Sequence, residues 1–482
     1  MLFQSAINSI AQRISELYRN IFNKSAQTGY ISTDNLVSDE MAEHLTLCQN
    51  LYENRIEDIE WLRDGKVKSL RLPAMISREI ARIVCSETDI RIDGESKRAK
   101  YLDKQLKVFL NKLPVYAEQG LALGNLAFKP YMHNGDIYVT VTRIGGFVPV
   151  SIDSAGRYTA CIFSEKITRN NDVFTRLEYH HLEADGRYIV ENTAYHSSST
   201  SSIGRKIPLA DVPEWKEYAP VTEMAVTGNN VLYSIYTNPF ANSIDLDSVL
   251  GVSIYSDCID LIREADEMWE LITYEMKSGE RKVFGNAQAF RNVSGGAKLS
   301  RFYKVIEFDN DNEFRDFSPA FRNDYIESRV QSIFKRIEQN SGISFGTISD
   351  PMAAAKTATE IKHSNHRLHV TVSSVQTALR TAIEQLVEAM NSYCDLYLGQ
   401  YPNIPESGDY SLICNWGDSV IESQSDKQAR AAVEYQMGVI DDVQYFVEAN
   451  GMTEEEAESF VGKMKSRSPQ TTGQDWFKGN TE

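Results

Sequence analysis

Hydrophobic residues recur at steps of three and four along most of this chain, and at steps of two through one central stretch. Near the start, Ile7, Ile10, Ile14, Leu17 and Ile21 form a stripe with helical period. A second helix is predicted over PAMISREIARIVCSE, with Pro73 at its start and Ile76, Ile80 and Ile83 along one face. A third is predicted through KYLDKQLKVFLNKLPVYAEQGLALG. Residues 1 to about 125 are therefore expected to be mostly helical.

From about 127 to 235 the period changes to two. Asn134-Gly135 separates two β-prone runs in AFKPYMHNGDIYVTVTRI, and Asp185-Gly186 repeats the device further on. Tyr158–Phe163, Leu177–Leu182 and Tyr188–Tyr195 read as antiparallel strands, and SSSTSS at 197–202 as a loop tip.

Helical spacing returns at 251. Val252, Tyr255, Ile259, Ile262, Trp269 and Met276 form a stripe that only Asp266 and Thr273 interrupt, and Gly279 is placed to end the helix. Its length of about 40 Å follows from a rise of 1.5 Å per residue. A piece of turns and short strands follows over 280–319. It is first basic (Arg281, Lys282, Arg291, Lys298, Arg301, Lys304), then acidic (Glu307, Asp309, Asp311, Glu313, Asp316). A further helix carries Ile326, Val330, Ile333 and Ile337 and stops near Asn340-Ser341-Gly342. If the two flanking helices pack antiparallel, the ends of this insert lie close together.

After the stretch GISFGTISDPMAAAKTATEI, no glycine or proline occurs between Pro351 and Gly399. Ile361, Leu368, Val372, Val375, Leu379, Leu386 and Met390 supply the stripe of a very long helix ending near 398. A bend is expected at LHVTVSSV, 368–375, where helix propensity is weakest. Short helices are expected behind it, and a disordered polar tail over 466–482. The fold class implied is α+β.

Composition narrows the function. A net charge of −17 argues against a surface that grips many phosphates, yet suits one that lets DNA slide past. The six cysteines are scattered without a C-x-x-C pair, which points to a reducing compartment and no zinc site. No run approaches the ~18 apolar residues of a membrane span. The N-terminal helix carries Arg13, Glu16 and Arg19 within its pattern, unlike a signal peptide.

The candidate chemistry is thin. Gly342-Ile-Ser344-Phe-Gly346 fits G-x-S-x-G, so Ser344 could be the nucleophile of a serine esterase. That turn needs a strand before the serine and a helix directly after it; here a helical pattern precedes and Asp350-Pro351 follows. His363, His366 and His369 spread over about 120° of a helix and read as a polar face. DNDNEFRD at 309–316 lacks the glycine and closing glutamate of a calcium loop. With no phosphate-binding loop and no dinucleotide fingerprint, neither a cofactor, a metal nor a catalytic residue is expected.

The order of helix, small insert, helix, Gly/Ser loop and very long helix, with KTATEI at Lys356–Ile361, resembles the portal proteins of tailed bacteriophages. The similarity is greatest to the branch common in phages of Gram-positive bacteria. WLRDGKVKSLRLPAMISREIARIVCSE and GMTEEEAESFVGKMK are similar to the same group. The resemblance implies a homo-oligomeric ring, usually of twelve subunits, at one vertex of the capsid. Double-stranded DNA would cross it during packaging and ejection. Terminase would dock on it first, and head-completion or adaptor proteins afterwards, with major capsid and scaffolding proteins around it. It would reside in the virion, assembled in the host cytoplasm, away from any membrane.

Carried onto this sequence, the resemblance implies a wing over residues 1–250, stem helices at 251–278 and 320–341, and a clip at 279–319. A tunnel loop would span 342–355, a kinked helix 356–398 and crown helices 399–465. The tunnel loop would offer Gly342, Ser344, Phe345, Gly346, Thr347, Ser349, Asp350 and Lys356 to DNA, its glycines acting as a hinge. Asp260, Glu264 and Glu267 would line the lumen or else pair with Arg329, Lys335 and Arg336. Arg281, Lys282, Arg291, Asp309 and Asp311 would meet partners at the clip. The alternatives are the esterase and a helical adaptor without a channel.

Overall fold

The computed structural model describes residues 38–154, 156–170, 172–183, 186–198, 203–226, 230–280, 282–285, 303–306, 314–317, 323–350, 358–416, 424–450 and 452–467. The first predicted helix and nearly all of the tail lie outside them. The chain divides into two compact units, 1–416 and 417–482.

In the first unit, α1 (Asp39–Glu53) starts where Ser38 Oγ accepts from Met41 N, and it ends at Asn54 in the left-handed region. The predicted second helix is α2 (Leu72–Val84), with proline in its first turn. Strand β1 (Asp89–Asp93) follows. The single long helix expected next is two, α3 (Lys97–Leu110) and α4 (Leu113–Leu123). Pro114 has no N–H to donate and clashes with a continuing helix, so the chain restarts there.

The β-rich stretch matches its period. β2 (Asn125–His133) and β3 (Asp136–Arg143) pair in full register. Asn134 and Gly135 sit between them at φ 53° and 81°, the angles that a two-residue hairpin turn requires. A six-stranded sheet comprises β4 (Phe147–Ile152), β5 (Tyr158–Arg169), β6 (Asp172–Leu182), β7 (Arg187–Ser197), β8 (Arg205–Ile207) and β9 (Val221–Ala225), the last also pairing with β7. Phe147, Cys161, Ile162 and Phe163 of this sheet belong to one buried apolar cluster with Met41 and Leu45 of α1. β10 (Ser234–Thr237) joins the other edge of β2.

Helix α5 (Ile259–Ser278) begins eight residues later than the apolar pattern predicted. The reason is that residues 251–255 are buried against the end of α4. Gly251 N donates to Asn125 Oδ1, Asn125 Nδ2 donates to Gly251 O, and Ile254 N donates to Leu121 O. Gly124 and Gly251 meet backbone to backbone, leaving no room for a side chain at Gly124. The insert after α5 contains β11 (Lys282–Gly285), β12 (Tyr303–Val305) and β13 (Phe314–Phe317). β11 pairs parallel with β12 and antiparallel with β13. α6 (Asn323–Ser341) and α7 (Ala358–Leu396) follow.

α7 runs unbroken for 39 residues, about 58 Å at the usual rise. Through the β-branched stretch, Thr371 and Ser374 turn their hydroxyls back onto carbonyls four residues earlier. The start of α3 is pinned to the end of α7 by Arg98, which is fully buried. It donates to Asn391 Oδ1, Asp395 Oδ1 and Pro405 O. β14 (Ser411–Asn415) pairs with β1, an element that the helical reading of 399–465 did not anticipate. Its partner lies some three hundred residues away in sequence, so no local signal announces it.

The second unit holds α8 (Gln424–Gln436), α9 (Asp442–Asn450) and α10 (Glu454–Arg467). Ala431, Ala449, Ala457 and Val461 are buried, and Phe446 meets Phe460 edge-on with ring centres 4.9 Å apart. Among the described residues no helix is long and apolar enough to cross a membrane.

Candidate functional site

Helices α5 and α6 form an antiparallel pair. Asp257 O accepts from Asn340, Cys258 Sγ reaches Ile337 O, and Glu264 meets Arg329, so the two sequences run in opposite directions. Val330, Ile333 and Ile337 of α6 and Ile262 and Ala265 of α5 are buried. The periodic apolar stripes thus account for the pairing.

Two carboxylates fall inside those stripes. Asp266 of α5 is 1 % exposed and accepts from Trp61 Nε1 at 3.0 Å and from Leu70 N at 2.7 Å. Burial pushes its carboxyl above the ordinary value, and the two hydrogen bonds pull against that shift. Glu338 of α6 has no exposed surface. Its Oε1 accepts from Gly346 N at 3.0 Å, Ile348 N at 2.7 Å and Ser349 N at 2.8 Å, and its Oε2 accepts from Ser349 Oγ at 2.8 Å. Gln331, two turns earlier, accepts from Asp350 N at 2.7 Å.

The loop leaving α6 is therefore packed through its first nine residues. Gly342 has φ +74°, and a Cβ there would lie 2.3 Å from Thr371 Oγ1 on α7. Ile343 is buried, Thr347 Oγ1 donates to Ser344 O at 2.7 Å, and Gly346 has φ 88°. The Arg367 guanidinium sits 5.7 Å from the centre of the Phe345 ring. Both glycines satisfy backbone angles that other residues avoid. The structure gives them a packing role: Gly342 makes room for α7, and Gly346 offers its amide to Glu338.

Ser344 does not sit on a nucleophile elbow. A helix precedes it, and its Oγ is buried with no hydrogen-bond partner. A serine nucleophile needs a base within hydrogen-bond reach. His366 is exposed and His369 half-buried on α7, and the side chain of His363 lies outside the described residues. No metal-ligating cluster occurs among the described residues.

The lumen candidates separate. Asp260 is exposed. Glu264 is bridged by Arg329 at 2.5 Å, and Glu267 lies 3.8 Å from Arg263 on its own helix. Arg336 donates to Gln339 instead of to an acid of α5. Lys282 is half-buried in β11, while Arg281, Arg291, Asp309, Asp311 and Lys356 lie outside the described residues.

Sequence reasoning passed over Glu338, although its signal was present: Val330, Phe334 and Glu338 recur every four residues, placing a charge in the buried stripe. Asp266 announced itself as a gap in the α5 stripe.

A model of the family described as "Phage portal protein, SPP1 Gp6-like" matches residues 39–462. The chain belongs to that family. The match to this portal family runs from the start of α1 into α10 and includes the α5–α6 pair and its loop. Among solved structures, it is similar to a chain of the "Virion of native gene transfer agent (GTA) particle". Identity there is 10 %, coverage 81 % of this chain and 89 % of that one, and the TM-score 0.40. It is also similar to a chain of the "Neck of native GTA particle computed with C12 symmetry". Identity there is 11 %, coverage 78 % of this chain and 89 % of that one, and the TM-score 0.36. No curated protein matches the chain.

Proposed function

We propose that this chain is the subunit of a ring-shaped portal at one vertex of a phage capsid, conducting double-stranded DNA into and out of the particle. The observation that carries the reading is the portal-family match over residues 39–462, which includes the α5–α6 pair and the loop that α6 launches toward α7. In this reading residues 1–250 form the wing, α5 and α6 the stem, 279–319 the clip and 399–465 the crown. Residues 342–355 form the tunnel loop.

The physics supports passage over grip. Asp260 and Glu267 stay exposed on α5, and a ring of such helices repels phosphates and keeps DNA mobile. A basic wall would add salt-dependent affinity with each phosphate contact. Trp269, Leu271, Tyr274 and Met276 are exposed on the same helix, and α6 exposes Tyr325. Apolar surface of this kind suits burial between neighbouring copies in a closed ring. The three-stranded insert sheet keeps β12 and β13 as edges, which suits docking of terminase and then of head-completion proteins. Capsid and scaffolding proteins would contact the wing.

Negative-stain microscopy of the purified protein tests the reading. A ring of about a dozen copies with a central hole is expected. A stable monomer, or an open assembly as an adaptor would form, contradicts it.

A further inference from the structure

We propose that Glu338 is a positioning residue that latches residues 346–349 onto α6, so that the base of the loop moves with that helix as one body. This deepens the portal reading and rests on it only for what the loop does to DNA. The latch itself is a matter of local chemistry. One carboxylate with no exposed surface takes three backbone amides on one oxygen and a serine hydroxyl on the other. Charge-assisted bonds of this kind are short and strong, and an acceptor removed from a buried site leaves its donors unsatisfied.

Two flanking contacts extend the latch at either end. Gln331 Oε1 holds Asp350 N, and Gly342 lies so close to Thr371 that a side chain there would collide with α7. The loop base is thereby gripped by α6 along residues 346–350 and by α7 at residue 342. A displacement of α6 is passed directly to the loop, with no slack at the glycines. The glycine-rich composition that suggests a hinge instead supplies the left-handed angles that bring three amides to one oxygen. The DNA-facing edge of the loop is consequently set by the pose of the second stem helix.

Amide hydrogen exchange on the assembled full-length protein reads this directly. In wild type, peptides covering 343–350 are expected to be protected. E338A is expected to speed their exchange by about tenfold or more, with peptides from 259–278 and 372–390 unchanged. E338Q keeps the shape and one acceptor oxygen, so it should fall between wild type and E338A. S349A removes the bond to Oε2 and the acceptor that Ser349 Oγ offers Gly346 N, while the three amides keep Oε1, and should speed exchange by about two- to threefold. If E338A does not assemble, E338Q and S349A carry the test by themselves. Unchanged protection of 343–350 in the variants that assemble would overturn the latch.

Packaging provides the second arm. E338A rings should form but package DNA poorly, whereas E338Q restores much of the yield. E338A rings that lose protection yet package normally would overturn the positioning role. Wild-type protein that forms no ring refutes the portal reading instead, and leaves the exchange result standing.

Discussion

Each helix of the central pair carries a buried carboxylate at a position of its apolar stripe, and the two are used differently. Asp266 on α5 takes an indole N–H and one amide from the 61–70 segment, two donors in all. Glu338 on α6 takes four donors, all from the loop that leaves its own helix. Asp266 joins elements far apart in sequence and serves packing. Glu338 organises the turn that follows it within eleven residues. The contrast teaches that a buried acid in an apolar stripe marks a held loop, and that the number of donors tells how firmly it is held.

The largest effect expected from this contrast is on stability. E338A leaves the amides of Ile348 and Ser349 and the Ser349 hydroxyl without their acceptor, and Gly346 N with Ser349 Oγ alone, for a loss of about 3–5 kcal/mol. D266A leaves two donors, for about 2 kcal/mol, and chemical denaturation of the two variants side by side checks the order. A larger loss for D266A would break the comparison. G342A is expected to cost about 2–3 kcal/mol, since it adds a strained φ and a contact of 2.3 Å with Thr371. Thermal unfolding of G342A with and without T371A sharpens this, because removing Oγ1 should restore part of the loss.

How much of this was legible before the structure differs by region. The β2–β3 hairpin was written in Asn134-Gly135, and the long strands followed from their alternation. Helix stripes placed α2, α5, α6 and α7, yet missed that Pro114 splits a helix and that residues 251–255 are held out of the helix by Asn125 and Leu121. Those misses share a cause: the deciding contacts are non-local or hang on one missing N–H. The glycines of the loop after α6 were visible in the sequence, but the contacts that hold them were not. The partner that explains Gly346 is a glutamate eight residues upstream, on a helix face that periodicity alone labels apolar.

A smaller effect is the pH dependence that Asp266 brings. Burial raises the Asp266 carboxyl above its ordinary value, so the unfolded chain gives up that proton at lower pH than the folded one. The contribution of Asp266 is therefore full below the ordinary carboxylate range and is lost as pH rises through the raised value. The stability difference between wild type and D266N should fall accordingly between acidic and neutral pH, as measured by denaturant titrations at several pH values. A difference that grows with pH would contradict the assignment. Smallest of all is the Arg329–Glu264 bridge, whose side chains are 56 % and 31 % exposed. A double-mutant cycle should return less than about 1 kcal/mol, and less still at high salt.

In the proposed ring, the α5–α6 pair would carry the 342–350 segment to the wall of the DNA channel. A single-particle reconstruction of the assembled protein tests it most directly. The loop base, with Gly346 against Glu338, should face the central hole with Asp260 and Glu267 of α5 nearby. A closed ring in which that loop lies on the outer rim would contradict the claim.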